Sequence, residues 1–153
     1  MNQKHNPPTN NRNSTKGSEQ LGRLFLQLRR MERQPRVFGE AGPLTPTEVH
    51  TIDAIGCDAG ILMSELAARL GVTKGAVTQL VGRLEGKDLV KRTPHPEDSR
   101  AVMVSLTDKG KTAYHQHEIL HHHFYNQLRE HLNEEEISIF EKGIETLVRI
   151  LRE

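Results

Sequence analysis

Residues 63–86, MSELAARLGVTKGAVTQLVGRLEG, constrain the possible fold more than any other stretch of this chain. Apolar residues recur at helical spacing before Gly71 and again over residues 77–84, so two short helices flank a glycine turn. A helix-turn-helix needs a small residue where its helices nearly touch, a glycine in the turn and an apolar anchor on the second helix. Ala67, Gly71 and Val77 occupy these places. The stretch therefore predicts a helix-turn-helix.

The second of these helices has a polar face that is suited to reading DNA. Thr73 is its predicted N-cap, and its apolar residues are predicted to be buried. The opposite face then exposes groups that reach base edges and phosphates in a major groove, while Gly75 lets the backbone approach closely. Two packed helices with a solvated polar face are the alternative interpretation. The candidate DNA-binding residues of this helix are Thr73, Lys74, Gly75, Thr78, Gln79 and Arg83.

A β-hairpin with a basic first strand is predicted directly after this helix. The runs LVKR and AVMVSL are rich in β-forming residues, and TPHPEDSR between them contains many turn formers. Such a hairpin is typical of a wing that inserts an arginine into the minor groove, and Asp98 is placed to brace Arg100. A solvated turn is the alternative interpretation. The candidate DNA-binding residues of the hairpin are Lys91, Arg92, Asp98 and Arg100.

Further helices are predicted on both sides of this core. A helix that begins at residue 18 ends before Pro35, and the capping box at residues 45–48 starts another. A long helix starts at residue 107. A capping signal at residues 133–136 starts the last helix. That helix carries apolar residues at steps of three and four over residues 137–151, which is the pattern of a seam for another helix.

The composition predicts one domain and no membrane segment. The chain has 153 residues, of which 35% are hydrophobic, and this is enough for a single core. No apolar run is long enough to span a membrane and no secretion signal is visible, so we expect a cytoplasmic protein. Residues 1–17 are polar and predict a disordered tail. Residues 69–100 carry seven Lys and Arg against four Asp and Glu, which suits contact with phosphates.

The order of these elements and the run PEDSRAVMVSLTDKG resemble the MarR family of bacterial and archaeal transcription regulators. In that family D-x-R opens the second wing strand and L-T-x-x-G starts the long dimerisation helix. The matching residues are Asp98, Arg100, Leu106, Thr107 and Gly110. The resemblance covers residues 18–153 and implies a mainly α-helical winged helix-turn-helix with a small β-hairpin wing, its core lying at about 44–106. It also implies dimerisation helices at about 18–34 and 107–152, and a homodimer that binds pseudo-palindromic double-stranded DNA.

A separate feature, HEILH at residues 117–121, spells the H-E-x-x-H pattern of zinc metallopeptidases. In that class Glu118 would activate the attacking water, but the sequence gives no sign of a substrate cleft, so a peptidase is the remote alternative. On a helical projection His117 and His121 lie on the apolar face of the long helix. Two histidines one turn apart on such a face either belong to the core or chelate one ion.

Within the MarR family these histidines resemble those of the metal-responsive, zinc-uptake repressors. In those proteins a histidine of the second helix joins two of the long helix, and the resemblance implies a site for zinc or another divalent transition metal. The acidic fourth ligand has Arg33 as its counterpart here, and Glu48 either coordinates the metal or caps its helix. The candidate metal ligands are His50, His117, His121 and Glu48, with Glu32 or Glu40 as a possible fourth ligand.

These observations predict a DNA-binding transcription repressor, not an enzyme, under the control of a divalent metal. The main alternative is a regulator that a small aromatic or drug-like effector releases from DNA. Another alternative is an oxidant sensor based on Cys57, the single cysteine. That residue has no basic neighbour in the sequence that would lower the pKa of its thiol, which favours a buried and inert side chain.

Overall fold

The computed structural model describes residues 12–31 and 33–152, and within them it contains six helices and five strands. The helices are α1 (Arg12–Met31), α2 (Pro46–Ile55), α3 (Met63–Leu70), α4 (Lys74–Gly86), α5 (Asp108–His131) and α6 (Glu134–Ile150). The strands are β1 (Arg36–Val37), β2 (Pro43–Leu44), β3 (Ile61–Leu62), β4 (Val90–Pro94) and β5 (Val102–Leu106). A short 3-10 helix, Gly39–Ala41, connects β1 to β2. The chain is mainly α-helical with a small antiparallel sheet, as predicted.

The helix-turn-helix and the wing lie where the sequence predicts them. In the turn between α3 and α4, Gly71 adopts the left-handed conformation, with φ of 63°. Strands β4 and β5 form an antiparallel hairpin in which Val90 faces Leu106. Strand β3 adds to the other edge of β5, and the sheet order is β3-β5-β4. We did not predict β3, because a strand of two residues has no periodicity to read.

One core joins the winged helix to α5. Its fully buried side chains include Ile52 of α2, Leu66 of α3, Leu84 of α4 and Val104 of β5. Ala67 and Val77, which were assigned to the contact between the two helices, are 5% and 1% exposed. Each amphipathic element therefore turns its apolar face to the same interior.

The predicted helix starts are confirmed by their caps. The side chains of Thr73, Thr107 and Asn133 accept hydrogen bonds from backbone N–H groups of α4, α5 and α6. Thr45 and Glu48 form a capping box at the start of α2. Among the described residues, no helix has the length and apolar character needed to cross a membrane.

The first helix is longer than predicted. It begins at Arg12 rather than near residue 18, so the disordered tail is wrong for residues 12–17, while residues 1–11 lie outside the described residues. Once an amphipathic segment has formed a helix, each added residue gains a hydrogen bond without a new nucleus. Polar residues can therefore extend α1 beyond the apolar stripe that predicts it.

The glycine of the L-T-x-x-G motif sets the distance between α5 and the base of the wing. Gly110 is buried in the first turn of α5, and a Cβ atom there would lie 1.9 Å from the carbonyl oxygen of Leu89. Thr107 reinforces the contact, since its hydroxyl donates a hydrogen bond to the carbonyl of Asp88 at 2.7 Å. The long helix thus rests directly on the backbone between α4 and β4.

Glu48 is a buried acid that holds α2 against the chain after α4. Its side chain is 7% exposed, and its carboxylate lies 2.8 Å from the ammonium group of Lys87. The same carboxylate accepts a hydrogen bond from the backbone N–H of Thr45 at 2.8 Å. Burial opposes ionisation of Glu48, but the hydrogen bonds from Lys87 and Thr45 outweigh it, and the pKa of the carboxyl group is lowered.

Replacing Glu48 by glutamine is expected to lower the free energy of unfolding at pH 7 by about 1–2 kcal/mol, since Lys87 remains solvated when its partner is lost. Because the folded pKa lies below the ordinary value of 4.5, the ionised carboxylate stabilises the fold above that pH. This stabilisation is lost as the pH falls through the folded value. Urea unfolding of both proteins from pH 7 to pH 3 should show their difference shrinking. A constant difference over that range would contradict the assigned role.

Candidate nucleic-acid interface and histidine cleft

Helix α4 and the wing form one polar surface. Every predicted DNA-binding residue of α4 and its cap is exposed, whereas the opposite face of the helix is buried in the core. A hollow of about 390 Å³ separates the helix from the wing, and Lys74 and Thr78 line it together with Arg92 and Arg100. The structure therefore brings residues predicted on two different elements to the same surface.

The basic residues of the wing differ in what they contact. Arg92 donates a hydrogen bond to the carbonyl of Thr78 at 3.2 Å and lies 3.3 Å from the carboxylate of Glu85. This arginine therefore holds β4 against α4, a contact that no pattern in the sequence indicates. Lys91 and Arg100 are exposed.

Asp98 braces Arg100 through the backbone. Its carboxylate accepts a hydrogen bond from the Arg100 N–H at 3.0 Å, and its carbonyl accepts one from the Ala101 N–H at 2.9 Å. The aspartate thus fixes the turn at the tip of the wing, which sets where the arginine side chain starts. The predicted brace is present, but it does not hold the guanidinium group.

The three candidate histidines line one cleft of about 840 Å³. The cleft lies between α1, α2, α5 and α6, and its lining includes apolar side chains such as Leu28, Met31, Phe124 and Phe140. His50 contributes to it from α2, and His117 and His121 contribute from α5. His50 and His121 are exposed, whereas His117 is half-buried. His123 of α5 also lines the cleft.

His117 and His121 are in contact with each other, and His117 also contacts α2. Their ring centroids are 4.2 Å apart. His117 Nδ1 lies 2.8 Å from Asp53 Oδ2 on α2, and the edge of its ring meets Phe38 at a centroid distance of 6.0 Å. Burial and the neighbouring His117 lower the pKa of His121, which favours its neutral imidazole. Asp53 is not among the predicted site residues, because its spacing from the histidines in the sequence gives no indication of the contact.

These residues meet only part of the requirements of a site for a divalent transition-metal ion. Two adjacent imidazoles, a third histidine on the same cleft and a carboxylate on one ring nitrogen form a donor set that suits zinc. Within residues 12–31 and 33–152, however, no three His, Cys, Asp or Glu side chains are arranged to hold a metal ion. A metal site would require these side chains to rotate, with His50 moving towards the other two.

Glu48, one of the predicted acidic metal ligands, has a different role in the structure. Both carboxylate oxygens of Glu48 are engaged by the helix cap and by Lys87, so this residue caps α2 rather than serving the cleft. Glu40 is exposed on the 3-10 helix, and Glu32 lies outside the described residues.

Proteins of known family are similar to this chain in sequence. A family model described as the MarR family matches residues 43–101. The multiple antibiotic resistance protein MarR of Escherichia coli strain K12 is 32% identical over 125 residues, which span 79% of this chain and 85% of that protein. The chain belongs to the MarR family. The predicted family resemblance is thereby confirmed.

Solved structures agree with membership of the MarR family. FabT of Streptococcus pneumoniae, solved in complex with DNA, is 28% identical with a TM-score of 0.78, over 91% of this chain and 97% of that one. The zinc-responsive MarR family member ZitR of Lactococcus lactis is 22% identical with a TM-score of 0.63, over 90% of this chain and 98% of that one. At that identity, the likeness to ZitR shows the fold alone.

The glutamate of HEILH contacts a histidine outside the motif in this MarR family protein. Glu118 Oε2 lies 3.1 Å from His115 Nδ1, and the side chain of Glu118 is 46% exposed. The first histidine of the motif, His117, is held by Asp53. Glu118 therefore forms a surface contact on α5.

Cys57 is half-buried where α2 meets α5. Its Sγ atom lies 4.0 Å from His115 Nε2, a neighbour that the sequence did not indicate. Burial raises the pKa of the Cys57 thiol, and Glu118 and Asp58 add to the shift, while Lys111 opposes it. A thiol with a raised pKa is a poor nucleophile, which favours the inert interpretation over the oxidant sensor.

Proposed function

We propose that this protein is a homodimeric transcription repressor that binds pseudo-palindromic double-stranded DNA and responds to zinc or a related divalent ion. The joint surface of α4 and the wing carries the DNA-binding part. A recognition helix with an exposed polar face enters a major groove, and a wing with a basic tip follows the adjacent minor groove. FabT, which shares the fold and was solved in complex with DNA, supports the binding of DNA.

The residues of this surface divide by the part of the duplex that they contact. Gln79 and Arg83, exposed on α4, have the donor groups that read base edges in the major groove. Lys74 and Lys91 neutralise phosphates, and Arg100 enters the minor groove from the tip of the wing. Arg92 holds the wing at a fixed distance from α4 and so acts on DNA through the other residues.

Exposed apolar faces on α1, α5 and α6 support the homodimer. Side chains such as Phe25, Phe124 and Ile139 are 48%, 60% and 66% exposed in the single chain. Soluble monomers seldom expose so many large apolar side chains to water. A second copy of the chain would bury these faces in a symmetric pair. In a symmetric pair the two recognition helices lie ~34 Å apart, one duplex turn.

Control by a metal rests on the position of the candidate histidines on two different helices, α2 and α5. His50 belongs to α2, which packs against α3 and α4, whereas His117 and His121 belong to α5, which we assign to the dimer. A bound divalent ion would supply a link between these helices through imidazole nitrogens. The ligands on α2 and α5 would then keep the recognition helices of the two protomers at the spacing that DNA requires. Coupling of this kind is typically ~1–3 kcal/mol.

Zinc is expected to raise the affinity for operator DNA by about 5–150-fold, which corresponds to that coupling, and His117→Ala is expected to remove the increase. The affinity is measured by fluorescence anisotropy with duplex from the region upstream of the protein's own gene, with EDTA and with added zinc. His122→Ala, an exposed histidine of the same helix, serves as the matched control. Equal affinity under both conditions would remove the metal from the proposal and leave DNA binding intact.

The cleft itself favours a second candidate, in which a small aromatic molecule controls DNA binding. At about 840 Å³, with Leu28, Met31 and Phe124 in its lining, it has the size and apolar character of a drug-like ligand site. The two candidates compete for the same space. A small aromatic compound that lowers DNA affinity equally in wild type and His117→Ala would favour this candidate over the metal.

A further inference from the structure

Asp53 and His117 form a contact between α2 and α5 that no motif predicts. Asp53 Oδ2 lies 2.8 Å from His117 Nδ1, and the two side chains are 33% and 13% exposed. The aspartate follows His50 by three residues, so it lies one turn further along α2. Asp53 therefore lies on the same helix as the candidate ligand His50 and contacts the ring of a second candidate ligand, His117.

This contact determines which nitrogen of His117 is available. A carboxylate only accepts hydrogen bonds, so a neutral imidazole beside it carries its proton on Nδ1 and donates it to Asp53. The lone pair then lies on Nε2. Histidines that bind metals usually donate their other N–H group to a carboxylate or a carbonyl, which fixes the ring and makes the ligating nitrogen more basic.

We infer that Asp53 is a positioning residue that holds His117 with Nε2 available to a divalent metal ion in the histidine cleft. The inference rests on the metal-dependent part of the proposed function. Asp53 acts through the ring of His117 rather than on the metal itself, because its nearer oxygen is occupied by Nδ1.

The metal-free protein gives the first test. Two-bond ¹H–¹⁵N spectra at pH 8.5 report the tautomer of each neutral histidine. His117 is expected to be predominantly Nδ1-protonated in wild type, and Asp53→Ala is expected to shift it towards the Nε2-protonated form that isolated imidazole side chains prefer. The assignment of the His117 signals follows from their loss in His117→Ala. An unchanged tautomer in Asp53→Ala would overturn the inference.

Zinc affinity gives the second test. Competition with a chromophoric chelator should show zinc binding weakened by about 10–100-fold in Asp53→Ala, the range found when such outer partners are removed. Asp53→Asn, which keeps an acceptor oxygen without the charge, is expected to fall between Asp53→Ala and wild type. Asp58→Ala removes an exposed acid close to the end of α2 and is the matched control. Thermal unfolding midpoints confirm that each variant is folded.

The outcomes separate this inference from the proposed function. Weaker zinc binding in Asp53→Ala, in a protein whose DNA affinity ignores zinc, supports the role of Asp53 and contradicts metal control. Zinc binding that is equal in wild type, Asp53→Ala and Asp58→Ala overturns the role of Asp53, whatever happens to DNA. Wild-type protein that does not bind zinc in this assay overturns both.

Discussion

Replacing Gly110 by alanine is expected to lower the free energy of unfolding by about 3 kcal/mol, at the upper end of the cost of overpacking a core. The added Cβ atom would lie 1.9 Å from the carbonyl oxygen and 3.0 Å from the carbonyl carbon of Leu89. Both are backbone atoms, so no side chain can move aside to relieve the overlap. The first turn of α5 must therefore separate from the base of the wing. Urea unfolding monitored by circular dichroism measures the loss.

Gly86→Ala is the matched control for this prediction. Gly86 is the last residue of α4, and nothing lies within 4 Å of a Cβ atom built there. Because alanine favours the helix over glycine, this variant is expected to be unchanged or stabilised by up to about 1 kcal/mol. If Gly110→Ala were as stable as Gly86→Ala, the close approach of α5 to Leu89 would not exist in solution.

Replacing Arg83 or Arg100 by alanine is expected to weaken DNA binding by about 1–3 kcal/mol each, or roughly 5–150-fold. Arg83 lies on the recognition helix and Arg100 at the wing tip, so they contact different grooves in the proposed complex. Because they are expected to contact different grooves and share no partner there, the two losses should add in the double variant. The affinities are measured by fluorescence anisotropy with the same upstream duplex at a fixed salt concentration.

The two arginines should also differ in how they change specificity. Loss of Arg83 is expected to relax the preference at one base pair, whereas loss of Arg100 should weaken binding most at narrow, A·T-rich minor grooves. Arg152→Ala removes the same charge just after α6 and should leave the affinity unchanged. Equal, small losses for all three variants would mean that net charge alone, and not this surface, determines binding.

The order of elements could be predicted because local signals and burial agree in this chain. Caps at Thr45, Thr73 and Asn133 mark where helices start, and alternation in residues 102–106 marks the second wing strand. These signals act over three or four residues and are readable in the sequence. The exposed polar face of α4 follows directly, since burying one face of a helix leaves the other to solvent.

Contacts between distant parts of the chain could not be predicted. Asp53 contacts His117, which lies 64 residues further along the chain, and Arg92 contacts Glu85 across the turn before the wing. Such pairs depend on how α2 packs on α5 and how β4 leaves α4, which periodicity does not encode. For the same reason Glu48 could be assigned to the cap but not to Lys87. Sequence alone therefore identified the elements of the candidate sites better than their side-chain partners.

The binding of the wild-type protein to duplex DNA, with the mass of the complex measured by light scattering, tests the central claim most directly. We predict two chains per operator duplex and an affinity that falls at least about tenfold between 50 mM and 200 mM salt, as expected when several phosphates are neutralised. A protein that remains a single chain and does not bind duplex at 50 mM salt would contradict both the paired recognition helices and the control proposed for them.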